Sequence, residues 1–129
     1  MNEKKSILFV TDYGIYPELT KALANSGAAL ATEHLMRKAI KRVKNDPPDL
    51  LIVEFFHEPQ FRDRVSNLES ILAQLERNQK KSRVLVLFYP EHKDWLPQLR
   101  KVFSIDTCLP NDSELPVILE AVDSLLKNH

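Results

Sequence analysis

The chain has 129 residues, and its 18 Lys and Arg balance 18 Asp and Glu, so the formal net charge at neutral pH is zero. That balance excludes a sequence-blind nucleic-acid binder, which needs an excess of cations, and gives no long-range pull towards anionic membranes. The single cysteine, Cys108, excludes an internal disulfide and points to a reduced, cytoplasmic setting.

No repeat, low-complexity tract or Gly/Ser linker divides the chain, so one domain over 1–129 with one hydrophobic core is expected. The start, "MNEKKSILFV", holds too short an apolar run for a signal peptide, and no stretch approaches the length of a membrane span. Only Gly14 and Gly27 are present, which excludes the glycine-rich loops that cradle nucleotide phosphates.

In chain order, "SILFV" (6–10) is a continuous apolar run, the pattern of a strand buried on both faces. Leu19, Ala22 and Leu23 mark a first helix, which "NSG" closes because Gly27 can take the left-handed conformation. "AALAT" (28–32) follows as an edge strand of small residues. Leu35, Ala39, Ile40 and Val43 mark a second helix, stopped by the prolines of "NDPP". "DLLIV" (49–53) is another fully buried strand and runs directly into Glu54.

A third helix begins at "SNLE", where Ser66 and Glu69 have capping-box spacing, and buries Leu68, Ile71, Leu72 and Leu75. "RVLVLFY" (83–89) is the third buried strand. Asp94 is the expected N-cap of a fourth helix carrying Trp95, Leu96, Leu99, Val102 and Phe103. "SIDTCL" (104–109) gives a second edge strand, with Cys108 reading as a core residue. Leu115, Ile118, Leu119, Val122, Leu125 and Leu126 recur at helical spacing in the last helix, which Asn111 or Asp112 caps and whose first turn tolerates Pro116.

Strand and helix thus alternate through the chain, which predicts an α/β fold with a parallel sheet sandwiched between helices. In such sheets the chemistry gathers at the carboxyl ends of the strands. Glu54 and Asp12 both have that address.

From "ILFVTD" through "PPDLLIVE" and "VLVLFY" to "CLPNDSELPVILEAVDSLL", the whole chain resembles the receiver domain of two-component response regulators. The resemblance implies a three-layer sandwich with strand order 2-1-3-4-5. It also implies a phosphoryl-accepting Asp after the third strand, an acidic Mg²⁺ site after the first, a hydroxyl after the fourth and a Lys after the fifth. Matched onto this chain, Glu54 stands at the acceptor position and Thr11 and Asp12 at the acidic pair. Phe88 stands in place of the hydroxyl and Leu109 in place of the lysine.

Glutamate reaches one methylene further than aspartate, and misplacement by about 1 Å can cost roughly a hundredfold in rate. Each charge-assisted bond lost from a phosphoryl group removes about 1.5–3 kcal/mol. The expectation is a stand-alone, receiver-like signalling domain without phosphotransfer, no enzyme, acting by binding a protein such as a kinase or effector. Glu54 is then a strand-tip carboxylate, solvated or paired with an amide. An alternative keeps Mg²⁺ or another ligand at Asp12 and Glu54, with no other cofactor expected. A third is a small flavodoxin-like enzyme using Tyr89, His92 or Glu54.

The loop "FFHEPQFRDRVSN" (55–67) is long and aromatic, which suits a partner-contacting flap or a cap on the core. Phe61 and Trp95 are the candidate contact residues. The resemblance further implies a homodimer surface on the fourth helix, fifth strand and last helix. "RKAIKRVK" (37–44) reads as a solvated basic face, and His34, His57, His92 and His129 have no metal-site spacing.

Overall fold

Five parallel strands form one sheet in the order β2-β1-β3-β4-β5 in the computed structural model, which describes residues 4–12, 14–57 and 67–127. They are β1 (Ser6–Val10), β2 (Ala29–Glu33), β3 (Leu50–Phe55), β4 (Arg83–Phe88) and β5 (Thr107–Pro110). The helices are α1 (Pro17–Ala24), α2 (Met36–Asn45), α3 (Glu69–Arg77), α4 (Leu96–Val102) and α5 (Leu115–Lys127), with a 3-10 turn over Pro90–Trp95. The three continuous apolar runs are the three inner strands, and the two runs of small or mixed residues lie at the edges, as expected.

Strand residues alternate between two cores because successive side chains point to opposite faces. Leu51, Val53, Phe55, Val84 and Val86 pack with α2, α3 and α4. Leu50, Ile52, Leu85 and Leu87 pack with α1 and α5. All six residues of β3 are buried, so its polar member, Glu54, lies inside the protein at 1% exposure.

At the opposite edge of the sheet, carboxylates tie the strand starts together. Asp49 Oδ2 accepts from the Ser6 amide at 2.8 Å, and Asp106 Oδ2 accepts from the Val84 amide at 2.7 Å. Gly27 closes α1 with φ of 92°, the conformation predicted for it.

Several helix boundaries differ from the sequence reading. α3 starts at Glu69 with Leu68 at its N-cap, and the expected capping box pairs Glu69 with Ser66. Ser66 lies outside the described residues. The position is set by tertiary structure: Leu68 is fully buried, and Asn67 is engaged by the end of β3.

Asp94 is likewise no cap, because it sits within the 3-10 turn and Trp95 occupies the N-cap of α4. Pro97 at the start of α4 has no amide to be satisfied there. Val102 is 66% exposed, since α4 is short and turns Leu96 and Leu99 inward. Leu35 sits ahead of α2 at 52% exposure, while Ala39 and Val43 fill the inward stripe. Asn111 and Asp112 form the turn after β5; Glu114 instead accepts the first helical amides of α5, from Val117 and Ile118.

Candidate functional site

The alternation that builds the two cores decides what Glu54 meets. Along β3, Leu50, Ile52 and Glu54 face α1 and α5, whereas Val53 and Phe55 face the other helices. On β4, Leu85 and Leu87 share the face of Glu54, and the next residue of that phase is Tyr89. Phe88 has the opposite phase and packs against the α2–α4 core. The residue from this strand that reaches Glu54 is therefore Tyr89.

The Glu54 carboxylate is held by donors from both neighbouring segments. Oε1 accepts from the Asp12 amide at 2.5 Å and the Gly14 amide at 3.2 Å. Oε2 accepts from the Gly14 amide at 3.0 Å, the Tyr16 hydroxyl at 2.6 Å and the Tyr89 hydroxyl at 2.9 Å. Tyr16 sits at the N-cap of α1, where Pro17 starts the helix, and its ring packs on Phe9 with centroids 5.6 Å apart. Its hydroxyl also meets the Asn111 side chain. The expected amide pairing is present, but the alternative of a solvated strand-tip carboxylate is overturned: the group is buried and its lone pairs are directed at hydrogen-bond donors.

Gly14 permits this arrangement. A Cβ at that position would overlap Glu54 Oε2 and the end of the Tyr16 ring, so any larger residue pushes on the carboxylate and one of its phenol donors together.

Burial, then the Glu54 hydrogen bond, then the Glu54 charge push the Tyr89 hydroxyl up to about 12. The same causes in the same order hold Tyr16 still further above the ordinary phenol value of 10.0. Both phenols are thus neutral donors at physiological pH and poor general bases. Because the folded values lie above the unfolded one, this contribution to stability is complete below the unfolded value and is lost as pH rises through the folded values. Stability to denaturant should stay level up to about pH 9 and fall from about pH 10 to beyond pH 12. Circular dichroism with tyrosinate absorbance checks this; Tyr16 and Tyr89 ionising at the ordinary value in a folded protein would contradict the hydrogen-bonded cage.

Thr11 is 6% exposed, and its Oγ1 lies 2.8 Å from His34 Nδ1. Asp12 contributes its amide to Glu54 and exposes its side chain. Leu109, at the lysine position, packs into the core beside α1 and α5. Trp95 is 38% exposed and stacks on His57 with ring centroids 3.8 Å apart, while the His57 amide donates to His92 Nδ1 at 3.1 Å. Phe61 lies outside the described residues. Burial pushes the Cys108 thiol up, as befits a core residue. Among the described residues, no group of three or more His, Cys, Asp or Glu side chains is placed to hold a metal ion.

Sequence reasoning missed Asn67. Its Oδ1 accepts from the Phe56 amide at 3.1 Å and its Nδ2 donates to the Glu54 carbonyl at 2.9 Å, closing off the end of β3. Asn67→Ala strands both groups at a buried position and should lower unfolding free energy by about 2–3 kcal/mol. A denaturant titration checks it; a loss within error would mean that water replaces both bonds.

Comparison with known proteins adds the architecture. No family model and no curated protein matches the chain. Among solved structures, it is similar to the signal receiver domain of a protein assigned as a Luxo repressor from Vibrio parahaemolyticus, with a TM-score of 0.78 at 16% identity over 98% of this chain and 92% of that one. It is similar to FixJ-N with a TM-score of 0.76 at 14% identity, over 99% and 98% of the two chains. A response regulator from Desulfuromonas acetoxidans gives 0.71 at 16% identity, over 95% and 97%. Likeness at such low identity speaks to architecture: the chain has the fold of a response-regulator receiver domain.

Proposed function

We propose that the chain is a receiver-like signalling unit that has exchanged phosphoryl transfer for a fixed internal carboxylate and acts by binding a protein partner. One observation carries this reading: Glu54, at the acceptor position, is 1% exposed and takes hydrogen bonds from two backbone amides and two phenols. A nucleophile needs a free lone pair aimed at an accessible phosphorus, and these lone pairs are engaged. Mg²⁺ at Asp12 and Glu54 would compete for the same electron pairs, so no cation or other cofactor is assigned to the site. Leu109 offers apolar surface on the Glu54 face where the phosphoryl oxygens of a receiver meet a lysine.

The partner is a kinase or an effector, and Trp95, half-open at the end of the 3-10 turn, is the contact residue assigned on the described surface. Val102 on α4 and Val117 on α5, at 66% and 47% exposure, suit a homodimer through α4, β5 and α5. No described helix is long and apolar enough to cross a membrane, and the cysteine content suits the cytoplasm.

The test is incubation with acetyl phosphate and Mg²⁺, read by intact mass. The parent chain and Glu54→Asp should both remain unmodified, the latter because shortening the side chain restores neither the hydroxyl nor the lysine. A phosphorylated parent would overturn the proposal, and a phosphorylated Glu54→Asp would restrict the lesion to one methylene.

A further inference from the structure

We infer that the donors around Glu54 form a receptor for a small planar monocarboxylate, which the parent chain fills with its own side chain. This rests on the proposed function in one respect, that the site does not hold a phosphoryl group. Among the described residues, four donors converge on two oxygens: the amides of Asp12 and Gly14 and the hydroxyls of Tyr16 and Tyr89. All four are electrically neutral. They suit a monoanion with two acceptor atoms and give a tetrahedral dianion too few partners.

The donors do not belong to the strand that carries the ligand. Asp12 and Gly14 lie between β1 and α1, and Tyr16 is fixed by the start of α1 and by Phe9. Tyr89 is anchored where its amide donates to the Phe55 carbonyl at 3.3 Å. Removing the Glu54 side chain therefore leaves the receptor's walls in place and its donors aimed at an empty volume.

That volume has a defined occupant. Glu54→Ala deletes one methylene and the carboxylate, and acetate is that fragment with one hydrogen added. Formate lacks the carbon that fills the space beside β3, and propionate carries one too many. Ile52, Leu87 and Leu109, which pack in the core on the same face of the sheet, supply apolar surface for the carbon end. The same occupancy is legible at a distance, because Tyr89 leads into the 3-10 turn that ends at Trp95, the chain's one tryptophan.

The experiment follows the thermal midpoint and Trp95 emission of Glu54→Ala in sodium acetate, formate, phosphate and chloride at matched ionic strength. Acetate should raise the midpoint and return the emission towards the parent's, saturating with a dissociation constant on the order of 1–10 mM. Formate should bind more weakly, and phosphate should behave as chloride does. Adding Tyr16→Phe and Tyr89→Phe should weaken the acetate effect at least about tenfold.

Should Glu54→Ala be recovered unfolded, the same comparison is made by refolding from denaturant. Acetate-dependent recovery supports the receptor, and failure to fold in acetate overturns it. An acetate response equal to that in chloride, or undiminished in the Phe variants, also overturns it. Inert acetate with a parent that resists acetyl phosphate removes the receptor alone; a phosphorylated parent removes the proposed function itself.

Discussion

Replacing Glu54 by leucine should lower unfolding free energy by about 3–5 kcal/mol, the largest loss expected from a single substitution at the site. Leucine supplies the missing volume and no acceptor. The Asp12 and Gly14 amides and the Tyr16 and Tyr89 hydroxyls then lose a charged partner at a buried position, each stranded group costing about 1–3 kcal/mol before relaxation. In this variant the leucine side chain occupies the volume and displaces the phenol hydroxyls towards water, which limits the total; the amides stay where the backbone holds them. Tyr16→Phe and Tyr89→Phe remove one charge-assisted bond each and should cost about 1.5–3 kcal/mol apiece. Denaturant unfolding of the three variants checks the order. A leucine variant as stable as the parent would mean that the carboxylate is tolerated and contributes nothing.

Gly14→Ala is the second large effect, at about 2–4 kcal/mol. The added methyl would meet Glu54 Oε2, Tyr16 Cε2 and the Tyr16 hydroxyl oxygen, so both partners of the Tyr16–Glu54 bond must move. Gly27→Ala is the informative control. It meets nothing within 4 Å, and its cost arises from its φ of 92° alone, about 1–2 kcal/mol. Only the Gly14 variant should bring the Tyr16 hydroxyl back towards its ordinary titration. Equal losses at the two glycines with unchanged tyrosine titration would show that Gly14 is required for its backbone and not for the carboxylate's packing.

The sheet was legible because its signal is strong and redundant. Continuous apolar runs at "SILFV", "DLLIV" and "RVLVLFY", separated by helical spacing, leave few ways to cover two faces. Helix starts were less legible, since tertiary contacts move them. Asn67 is drawn to the β3 terminus, which leaves the start of α3 at Leu68, and the 3-10 turn displaces α4 past Asp94. Of the site, Glu54 was found because a carboxylate ending a buried run is conspicuous. Of its keepers, Asp12 and Tyr89 were placed near it in other roles, as a metal ligand and an acid–base group, while Gly14 and Tyr16 were not.

Tyr16 lies 38 residues from Glu54 and has no local pattern that announces it. Tyr89 was in reach of sequence reasoning. The period of two that buries Leu85 and Leu87 beside Ile52 places residue 89, and not 88, on the side of Glu54. Matching positions to a family pattern drew attention to Phe88, whereas the phase of the strand points to its neighbour.

The closed site requires a carboxylate at residue 54 that is already satisfied from within. The most direct measurement is the amide NMR spectrum of the parent chain titrated with Mg²⁺ and then with beryllofluoride, a phosphoryl analogue. The Asp12, Gly14 and Glu54 resonances should keep their positions through both additions. Saturable shifts centred on those residues would show a cation or a phosphoryl mimic entering the site, and would contradict the closed cage.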